Sequence, residues 1–449
     1  MPKYSRESRL RPKSSLSNEI IITGPRVLEG DVRLQGSKNS ALSLIPTSLL
    51  GEGKFILNRV PDVSDIWAMV DYVKALNIEV ELSNNRLSLS VDFSPDNVIV
   101  EDWSKLSSTR TTFYFIPFLL KHYGRAELPN PGGCKLGARK SDFLFDALER
   151  FGADVAVEGE RIVVEARMLR AIEYKLPYPS QSVSTILLSL ATISRGTSVL
   201  ENISLNPEID DKIHLLQKMG VQVERPGERV VVVRGGSTLS ATEFDVMPDR
   251  VVAATWIAAA GITGGWVEMS EEAELFLQAE LEVFERLGLV RRPTLSEKVR
   301  YSFEGEPFPV SVTTGPYPMF NTDIQPFITV LMVCRGAIGS VIKEMVFDQR
   351  FNYVRYLNEM GFNIEVKSLN GYFCPSGKQA HIAEIGSPWR AKLRGGKAVT
   401  ATDLRAGMAL LLAALATEGR TLINDAFQIY RGYENLVETL RSLGAKIEI

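Results

Sequence analysis

The sequence has little of several residue types that mark particular protein classes. Only three cysteines occur among 449 residues, at unrelated spacings: Cys134, Cys334 and Cys374. An odd number so spaced argues against a disulfide framework or a cysteine-bound metal, and favours a reducing compartment such as the cytoplasm. The three histidines form no pattern of metal ligands or of a catalytic triad. We therefore expect neither a metal site nor a cofactor.

Charge and apolar runs exclude two further kinds of partner. The formal net charge is only -3, so the chain as a whole is not attracted to nucleic acid or to an anionic membrane. The longest apolar runs, such as 406–416, are too short to span a bilayer and fit buried helices. Residues 1–17 are basic and polar, without the apolar stretch of a secretory signal. We interpret them as a disordered tail, with a targeting or tag segment as the alternative.

What the sequence does contain is a unit that occurs six times. Each unit has a strand that begins with glycine, then a helix, then an aliphatic-glycine-aliphatic step into another strand. Repetition of this kind is typical of folds assembled from one supersecondary element. The glycines that begin the strands are Gly53, Gly124, Gly196, Gly265, Gly339 and Gly419.

A second helix precedes each of these strands and is apolar on nearly every side. The six helices begin near Ser37, Thr109, Ser182, Asp249, Thr322 and Thr402. A helix without a polar face is buried, so sheets and outer helices must surround it. We predict an α/β fold, a two-domain inside-out α/β barrel built from six βαβαββ-like repeats. Because six units exceed one compact core, one domain would comprise 37–244 and the other 18–36 plus 245–449.

Charged residues gather where the six buried helices begin. If these helices are roughly parallel, their N-termini share one end, where free N–H groups and helix dipoles favour anions. Lysine and arginine are unfavourable at a helix N-terminus, so an anionic ligand would offset their cost. Capping and surface charge are the alternative explanation for any single residue. The polar residues concerned are Lys38, Asn39, Arg110, Ser182, Asp249, Arg250, Asp323, Asp403 and Arg405.

Several motifs occur in the order typical of one enzyme family. They are GSKNSAL at 36–42, PGGCKLGAR at 131–139, TD at 322–323, RF at 350–351, TDLRA at 402–406 and RGYE at 431–434. Over 18–449 the chain resembles the enolpyruvyl transferases, and most closely the branch that uses UDP-N-acetylglucosamine in peptidoglycan synthesis. The cysteine loop is the most specific motif, because the sister branch acting on shikimate 3-phosphate lacks it. The resemblance implies an active site in a cleft between two inside-out α/β domains.

The resemblance also implies a reaction. The enolpyruvyl group of phosphoenolpyruvate passes to a hydroxyl of UDP-N-acetylglucosamine, and phosphate leaves, by addition and then elimination. Lys38, Arg139 and Arg431 would hold phosphoenolpyruvate, the arginines through forked hydrogen bonds. Arg110 and Arg350 match family positions near the closed cleft. The partners implied are therefore two small anionic substrates, phosphoenolpyruvate and a uridine nucleotide acceptor. We expect the protein itself to be a monomer or a weak homo-oligomer.

Two residues match the acid and the base of this reaction. Cys134 would protonate the methylene carbon of phosphoenolpyruvate and form a covalent adduct, and it is the residue that fosfomycin would alkylate. The alternative is an inert buried cysteine, which the surrounding glycines argue against. Asp323 would take the proton of the acceptor hydroxyl, with a helix N-cap as its structural alternative, and Asn39 would contact the sugar. Asp403 and Arg405 match a pair near the reacting centre.

The departures from the family concentrate on the acceptor side. The third buried helix begins with 180–184, which lacks the lysine and glycine usual there, although Ser182 and Val183 still match acceptor positions. After the loop arginine, the segment 140–144 keeps Asp142 but not the usual proline and histidine. Three functions remain open. They are transfer to UDP-N-acetylglucosamine, the same transfer to another acceptor such as UMP in nucleoside-antibiotic synthesis, and a non-catalytic nucleotide-binding paralogue.

Overall fold

The computed structural model describes residues 17–92, 110–129, 142–387 and 393–449. Nearly all of the predicted basic tail therefore lies outside the described residues. The strands are β1 Glu19–Gly24, β2 Glu29–Asp31, β3 Gly53–Asn58, β4 Glu79–Ser83, β5 Arg86–Val91, β6 Arg125–Pro129, β7 Asp154–Glu158, β8 Arg161–Glu165, β9 Glu173–Lys175, β10 Gly196–Glu201, β11 Gln222–Gly227, β12 Val230–Gly235, β13 Glu243–Asp245, β14 Trp266–Ser270, β15 Leu289–Pro293, β16 Lys298–Phe303, β17 Ser311–Thr313, β18 Val341–Glu344, β19 Ile364–Phe373, β20 Gln379–Ile385, β21 Ala398–Thr400, β22 Gly419–Asn424 and β23 Lys446–Glu448.

Helices lie between groups of one to three of these strands along the chain. The α-helices are α1 Lys38–Ser48, α2 Ser64–Ala75, α3 Ile116–Tyr123, α4 Asp142–Phe151, α5 Gln181–Ile193, α6 Pro207–Lys218, α7 Arg250–Thr263, α8 Gln278–Arg286, α9 Gln325–Arg335, α10 Val354–Glu359, α11 Leu404–Ala416, α12 Phe427–Tyr430 and α13 Leu436–Ser442. Short 3-10 helices occupy Arg110–Phe115, Glu271–Phe276 and Arg350–Tyr353. No helix of the described ranges is long and apolar enough to cross a membrane.

The six strands predicted to begin with a glycine all form, starting at that glycine or within two residues of it, and each belongs to a different sheet. They are β3, β6, β10, β14, β18 and β22. The glycine is required for two different reasons: Gly196 has φ 108°, which only glycine adopts readily, whereas a Cβ on Gly265 would lie 2.0 Å from the Leu28 carbonyl oxygen. The sheet orders are β21-β22-β1-β23, β11-β12-β10-β9, β13-β3-β5-β4, β15-β16-β14-β2, β17-β18-β20-β19 and β6-β8-β7. In the described residues no strand is shared between two of these sheets. The sheets therefore do not close into one barrel, and the buried helices form the interior of the fold.

The predicted apolar helices are buried as expected. Every residue of α7 from Arg250 to Ile262 is buried, as is every residue of α11 from Leu404 to Leu415. The second predicted helix is divided: a 3-10 helix covers Arg110–Phe115 and the α-helix begins only at Ile116. Pro117 lies in the first turn of this α-helix, where its missing N–H costs no intrahelical hydrogen bond.

Two separate hydrophobic clusters fill the interior of the molecule. The first cluster is formed by buried residues between 41 and 246. The second cluster combines residues of 20–32 with residues of 251–447. The chain thus begins in the second cluster, forms the first cluster with residues 41–246, and then returns to the second cluster. The domain limits predicted from the repeats stay a prediction.

The chain crosses between the clusters twice, and the two crossings lie side by side. Gly36 pairs with Pro248 in an antiparallel bridge. The backbone N–H of Ser37 donates to the Met247 carbonyl at 2.7 Å, and that of Asp249 donates to the Gln35 carbonyl at 3.0 Å. These bonds fix the start of α1 beside the start of α7, one helix in each cluster.

Candidate active site

A cavity of about 550 Å³ lies between the two clusters. Four of the six helices predicted to share one end, α1, α5, α7 and α11, begin at its wall, with Lys38, Gln181, Arg250 and Leu404 among the lining residues. Free N–H groups and the positive ends of the helix dipoles therefore point to one space. In the described residues, the charged groups at the wall comprise five cations and three carboxylates, an excess that suits an anionic ligand.

One carboxylate joins the cations of opposite walls. Lys38 Nζ, at the start of α1, donates to Asp65 Oδ2 of α2 at 2.9 Å. Arg431 Nε, from the loop after α12, donates to Asp65 Oδ1 at 2.8 Å. Burial tends to raise the pKa of Asp65, but Lys38 and Arg431 outweigh it and lower the pKa below its ordinary value. Asp65 therefore holds the two cations as an ionised carboxylate.

Both cations keep hydrogen-bond donors for a ligand. The Arg431 Nη1 donates to Gln428 Oε1 at 2.9 Å, and in the described residues its Nη2 has no acceptor. Lys38 uses one of its three ammonium donors on Asp65. Because Asp65 and Gln428 hold two edges of the guanidinium, its remaining donors are fixed in direction.

Asp323 lies between two buried arginines on the other side of the cavity. Its Oδ1 accepts from Arg350 Nη2 at 2.7 Å, and its Oδ2 accepts from Arg405 Nε and Nη2 at 3.5 Å. The arginine side chains are 1% and 4% exposed, whereas Asp323 is 28% exposed. Within the described part of the chain no side chain caps α9, so Asp323 is not the helix N-cap that was its structural alternative. Its carboxylate is open to the cavity instead.

Asp403 and Arg405 begin α11 and belong to the same charged group. Asp403 Oδ1 caps the helix by accepting from the N–H groups of Arg405 and Ala406 at 2.9 and 3.1 Å, and Arg350 Nη1 lies 3.7 Å from it. Arg405 also donates to the Tyr433 hydroxyl at 3.4 Å. Burial opposes the charge of Arg405, but Tyr433 and Asp323 favour it and raise its pKa.

Arg250 provides a further buried cation at the start of α7. It is 2% exposed, and its Nε donates to Glu208 Oε1 at 3.2 Å. Its Cζ lies 5.3 Å from the centre of the Tyr317 ring, within range of a cation–π interaction. Burial lowers the pKa of Arg250, but Glu208 and Glu280 more than compensate, so the pKa rises. Arg250 therefore stays charged in the wall.

Small polar groups form the wall at the start of α5. Ser180 is the N-cap, and its hydroxyl accepts from the Val183 N–H at 3.5 Å. The Tyr114 hydroxyl donates to Ser182 Oγ at 3.3 Å. Burial raises the pKa of nearby Tyr178 to about 12, so its phenol stays protonated as a donor. Asn39, Ser182 and Val183 all line the cavity.

Some predicted residues cannot be placed. Cys134 and Arg139 lie outside the described residues. Arg110 begins a described 3-10 helix and Asp142 begins α4, but their side chains lie outside the described part of the structure. The remaining predicted residues all line the one cavity: Lys38, Asn39, Ser182, Val183, Asp323, Arg350, Asp403, Arg405 and Arg431.

Sequence reasoning missed the carboxylates that hold these cations. Asp65 is separated from Lys38 by 27 residues and from Arg431 by 366. Glu208, in the first turn of α6, pairs with Arg250 across 42 residues. The available signal was weak: Asp65 and Glu208 are acids in the first turn of a helix, where an acid is usual. The described residues contain no group of His, Cys, Asp or Glu suited to a metal ion.

The geometry is suited to binding a substrate with two anionic groups and to moving a proton. Lys38 and Arg431 can hold anionic oxygens from both sides of the cavity, the arginine by a planar fork. Asp323 is an accessible carboxylate held by arginines, which fits a proton acceptor for a hydroxyl.

Comparison with known sequences points to one group of enzymes. The family described as EPSP synthase (3-phosphoshikimate 1-carboxyvinyltransferase) matches residues 22–440. A relative named UDP-N-acetylglucosamine 1-carboxyvinyltransferase, from Kosmotoga olearia, is 32% identical over 96% of this chain and 99% of its own length. UDP-N-acetylglucosamine 1-carboxyvinyltransferase 1 of Streptococcus agalactiae is 34% identical over 96% of this chain and 99% of its own.

Solved structures share the fold. The enolpyruvyl transferase NikO from Streptomyces tendae superposes with a TM-score of 0.83 at 23% identity, covering 96% of this chain and 98% of that one. An EPSP synthase from Acinetobacter baumannii superposes with a TM-score of 0.68 at 17% identity, over 96% and 100% of the two chains. The predicted two-domain α/β fold is thereby confirmed.

Proposed function

The chain belongs to the EPSP synthase family of enolpyruvyl transferases, and from that premise we propose that it transfers the enolpyruvyl group of phosphoenolpyruvate to a hydroxyl of UDP-N-acetylglucosamine. Phosphate is the second product. The enzyme is a transferase, and its proposed product belongs to peptidoglycan synthesis. A catalytic thiol at Cys134 would need a reducing compartment, so we place the reaction in the cytoplasm.

The arrangement of Lys38, Asp65 and Arg431 carries this proposal. Phosphoenolpyruvate has a phosphate and a carboxylate, and each requires cationic hydrogen-bond donors in a site with little water. Asp65 holds Lys38 and Arg431 at 2.9 and 2.8 Å, so their remaining donors are fixed before the substrate arrives. Arg139 would join them from the cysteine loop. Such prior ordering reduces the cost of binding.

In the addition step, the acceptor oxygen forms a bond to C2 of phosphoenolpyruvate. Asp323 takes the hydroxyl proton, and Cys134 supplies a proton to the methylene carbon, which becomes a methyl group. In the elimination step, the Cys134 thiolate takes a proton back from that methyl group, the C2–O bond to phosphate breaks, and the double bond forms again. The proton held by Asp323 passes to the leaving phosphate, so both residues return to their starting states. Arg350 and Arg405 hold Asp323 where it can reach the hydroxyl.

The acceptor would lie along the wall formed by α1 and α5. Asn39 would contact the sugar, and Ser182 and Val183, at the start of α5, would contact the nucleotide. The backbone N–H groups of a helix N-terminus suit phosphate oxygens. The names of the two relatives, which match nearly full length, support UDP-N-acetylglucosamine as the acceptor.

A second candidate is the same reaction with another uridine nucleotide, such as UMP. One observation favours it: the cavity-lining residues between 178 and 186 include no lysine or arginine. A monophosphate needs fewer cations than a diphosphate. Because the start of α5 offers mainly hydroxyl and N–H donors, it would suit the smaller charge.

Phosphate release separates these functions. The protein is incubated with phosphoenolpyruvate and either UDP-N-acetylglucosamine or UMP, and the product mass is measured. We expect phosphate and an enolpyruvyl ether of UDP-N-acetylglucosamine. Turnover with UMP alone would favour the second candidate. If the protein binds a nucleotide but neither mixture releases phosphate, the result would favour a non-catalytic nucleotide-binding protein. A sample without acceptor measures background hydrolysis.

A further inference from the structure

We propose that Glu344 is a positioning residue that holds Asp323 in place through Thr322 and Arg350. The proposal rests on the proposed function, which makes Asp323 the base for the acceptor hydroxyl. Glu344 ends β18 and does not line the cavity in the described residues, so it acts on the reaction only through its neighbours.

The Glu344 carboxylate is fully buried and used entirely as a hydrogen-bond acceptor. Its exposed fraction is 0%. Oε1 accepts from the backbone N–H groups of Val346 and Phe347 at 2.9 and 3.0 Å. The hydroxyl of Thr322 lies 3.1 Å from Oε1 and 3.0 Å from Oε2. The Thr314 side chain is a further hydrogen-bond partner. Four donors thus converge on one carboxylate, which locks its rotamer.

Thr322 transmits this fixed position to the arginine beside the base. Its carbonyl oxygen accepts from Arg350 Nε at 3.0 Å and from Nη2 at 2.8 Å. The same Nη2 donates to Asp323 Oδ1 at 2.7 Å. Glu344 therefore fixes the Thr322 side chain, the Thr322 backbone fixes Arg350, and Arg350 fixes the carboxylate that faces the cavity.

A second buried acid holds the other end of the same turn. Glu280 of α8 is 2% exposed, and its Oε1 accepts from the Asn321 N–H at 2.8 Å. Asn321 Oδ1 in turn accepts from the Asp323 N–H at 2.8 Å. The turn 321–323 precedes α9 and is held from both sides by carboxylates. Without these contacts a short turn before a helix would have more backbone freedom.

A positioning role explains why a costly buried acid occurs here. Burial raises the pKa of Glu344, and the nearby Arg350 and the backbone donors oppose that shift. No cation lies within ion-pair distance of Glu344 in the described residues, so the carboxylate is not part of a direct salt bridge. A catalytic group must be held within a fraction of an ångström of its productive position. Fixing the Asp323 turn to that precision requires acceptors that cannot move.

The test compares Glu344→Gln with variants of Thr322, the residue that connects Glu344 to Arg350. Glu344→Gln keeps the shape but replaces one acceptor oxygen with a donor and removes the charge. Thr322→Val removes the hydroxyl link, and Thr322→Ser restores it. Glu384→Gln is the matched control, since it removes a half-exposed carboxylate on the adjacent strand β20 that is paired with Lys367. Single-turnover rate constants with phosphoenolpyruvate and UDP-N-acetylglucosamine are measured, because they do not depend on the fraction of active enzyme.

We expect Glu344→Gln and Thr322→Val to lower the single-turnover rate constant by about tenfold or more, with the KM for phosphoenolpyruvate changed by less than about twofold. Thr322→Ser should lie closer to the parent enzyme. A loss of amplitude at an unchanged rate constant would show a merely structural role and overturn the proposal, as would an unchanged Glu344→Gln enzyme. Failure of the parent enzyme to release phosphate would refute the proposed function instead.

Discussion

The carboxylate of Asp249 accepts a hydrogen bond from the backbone N–H of Lys38 at 3.1 Å. The same side chain caps α7 by accepting from the N–H groups of Val251 and Val252, both at 3.0 Å. One carboxylate therefore serves the N-termini of two helices, one from each hydrophobic cluster. Because Lys38 and Arg250 begin these helices, Asp249 sets the spacing of two cations in the cavity wall.

Replacing Asp249 with alanine should weaken both helix starts at once. We expect Asp249→Ala to lower the free energy of unfolding by about 1–3 kcal/mol, since a cap and a buried hydrogen bond are lost. Urea denaturation followed by circular dichroism measures the change. Asp245→Ala is the control, because Asp245 is exposed and bonds to the Asn58 side chain. Equal stability losses in the two variants would contradict the double-cap interpretation.

Asp65 should govern the affinity for phosphoenolpyruvate. In Asp65→Asn the amide can still accept one hydrogen bond, but Lys38 and Arg431 lose their shared counter-charge. We expect the KM for phosphoenolpyruvate to rise about tenfold, a cost of about 1.4 kcal/mol in binding, while the KM for the acceptor stays nearly constant. Steady-state kinetics with each substrate varied in turn measures both.

Asp71→Asn is the control for this prediction, because Asp71 lies exposed on the same helix α2. An unchanged or lower KM in Asp65→Asn would mean that Asp65 competes with the substrate for the cations rather than ordering them.

The three cysteines should differ sharply in reactivity. Burial raises the pKa of the Cys374 thiol to about 12, with Glu344 and Asp348 adding to the shift, so little thiolate forms at neutral pH. Cys334 is half-buried in α9. We expect fosfomycin to modify Cys134 alone, and Cys134→Ser to abolish the modification. Peptide mass spectrometry locates the adduct. An adduct on either other cysteine would contradict the proposed role of the loop.

Lys212 should make stability depend on pH. It is 1% exposed, and its Nζ donates to Thr47 Oγ1 at 2.8 Å and Ser189 Oγ at 2.7 Å. Burial lowers its pKa from 10.5 to about 7. Between these values the folded state binds fewer protons than the unfolded state, so this group makes stability rise as pH increases through that window.

Lys212→Met should remove that dependence and stabilise the protein most at pH 6, by about 1–4 kcal/mol. The difference in unfolding free energy between parent and variant is measured from pH 6 to 10, so that other titrating groups cancel. Lys218→Met, at the exposed end of the same helix, is the control. A difference independent of pH would show that Lys212 is not the titrating group.

Local signals explain what could be predicted from the sequence. The glycines that begin β3, β10 and β22 marked the strand starts in the sequence, and in the structure Gly53, Gly196 and Gly419 all have positive φ, which glycine adopts readily. The uniformly apolar segments predicted buried helices, and Asp249 and Asp403 cap two of them as their position suggested. Strand starts, buried helices and helix caps depend mainly on residues close in the sequence, so they can be predicted without knowledge of the fold.

The partners of the charged residues could not be predicted, because they depend on contacts between distant segments. Nothing near Asp65 in the sequence indicates that it would join Lys38 to Arg431. Asp323 is of a residue type that commonly caps helices and lies just before α9, yet its carboxylate accepts a hydrogen bond from Arg350 instead of from the helix backbone. The buried Glu344 had no local signal, since an acid at the end of a strand is usually exposed.

The paired crossings at Gly36 and Pro248 give the molecule the topology of an insertion. The segment between them begins and ends at neighbouring points of the backbone, and the remaining chain continues across a short gap. Such a segment can be exchanged as a cassette between related enzymes without altering the connections of the host. Because α1 and α5 belong to it, an exchange would replace the wall proposed for the acceptor while Asp323, Arg350 and Arg405 stay in place.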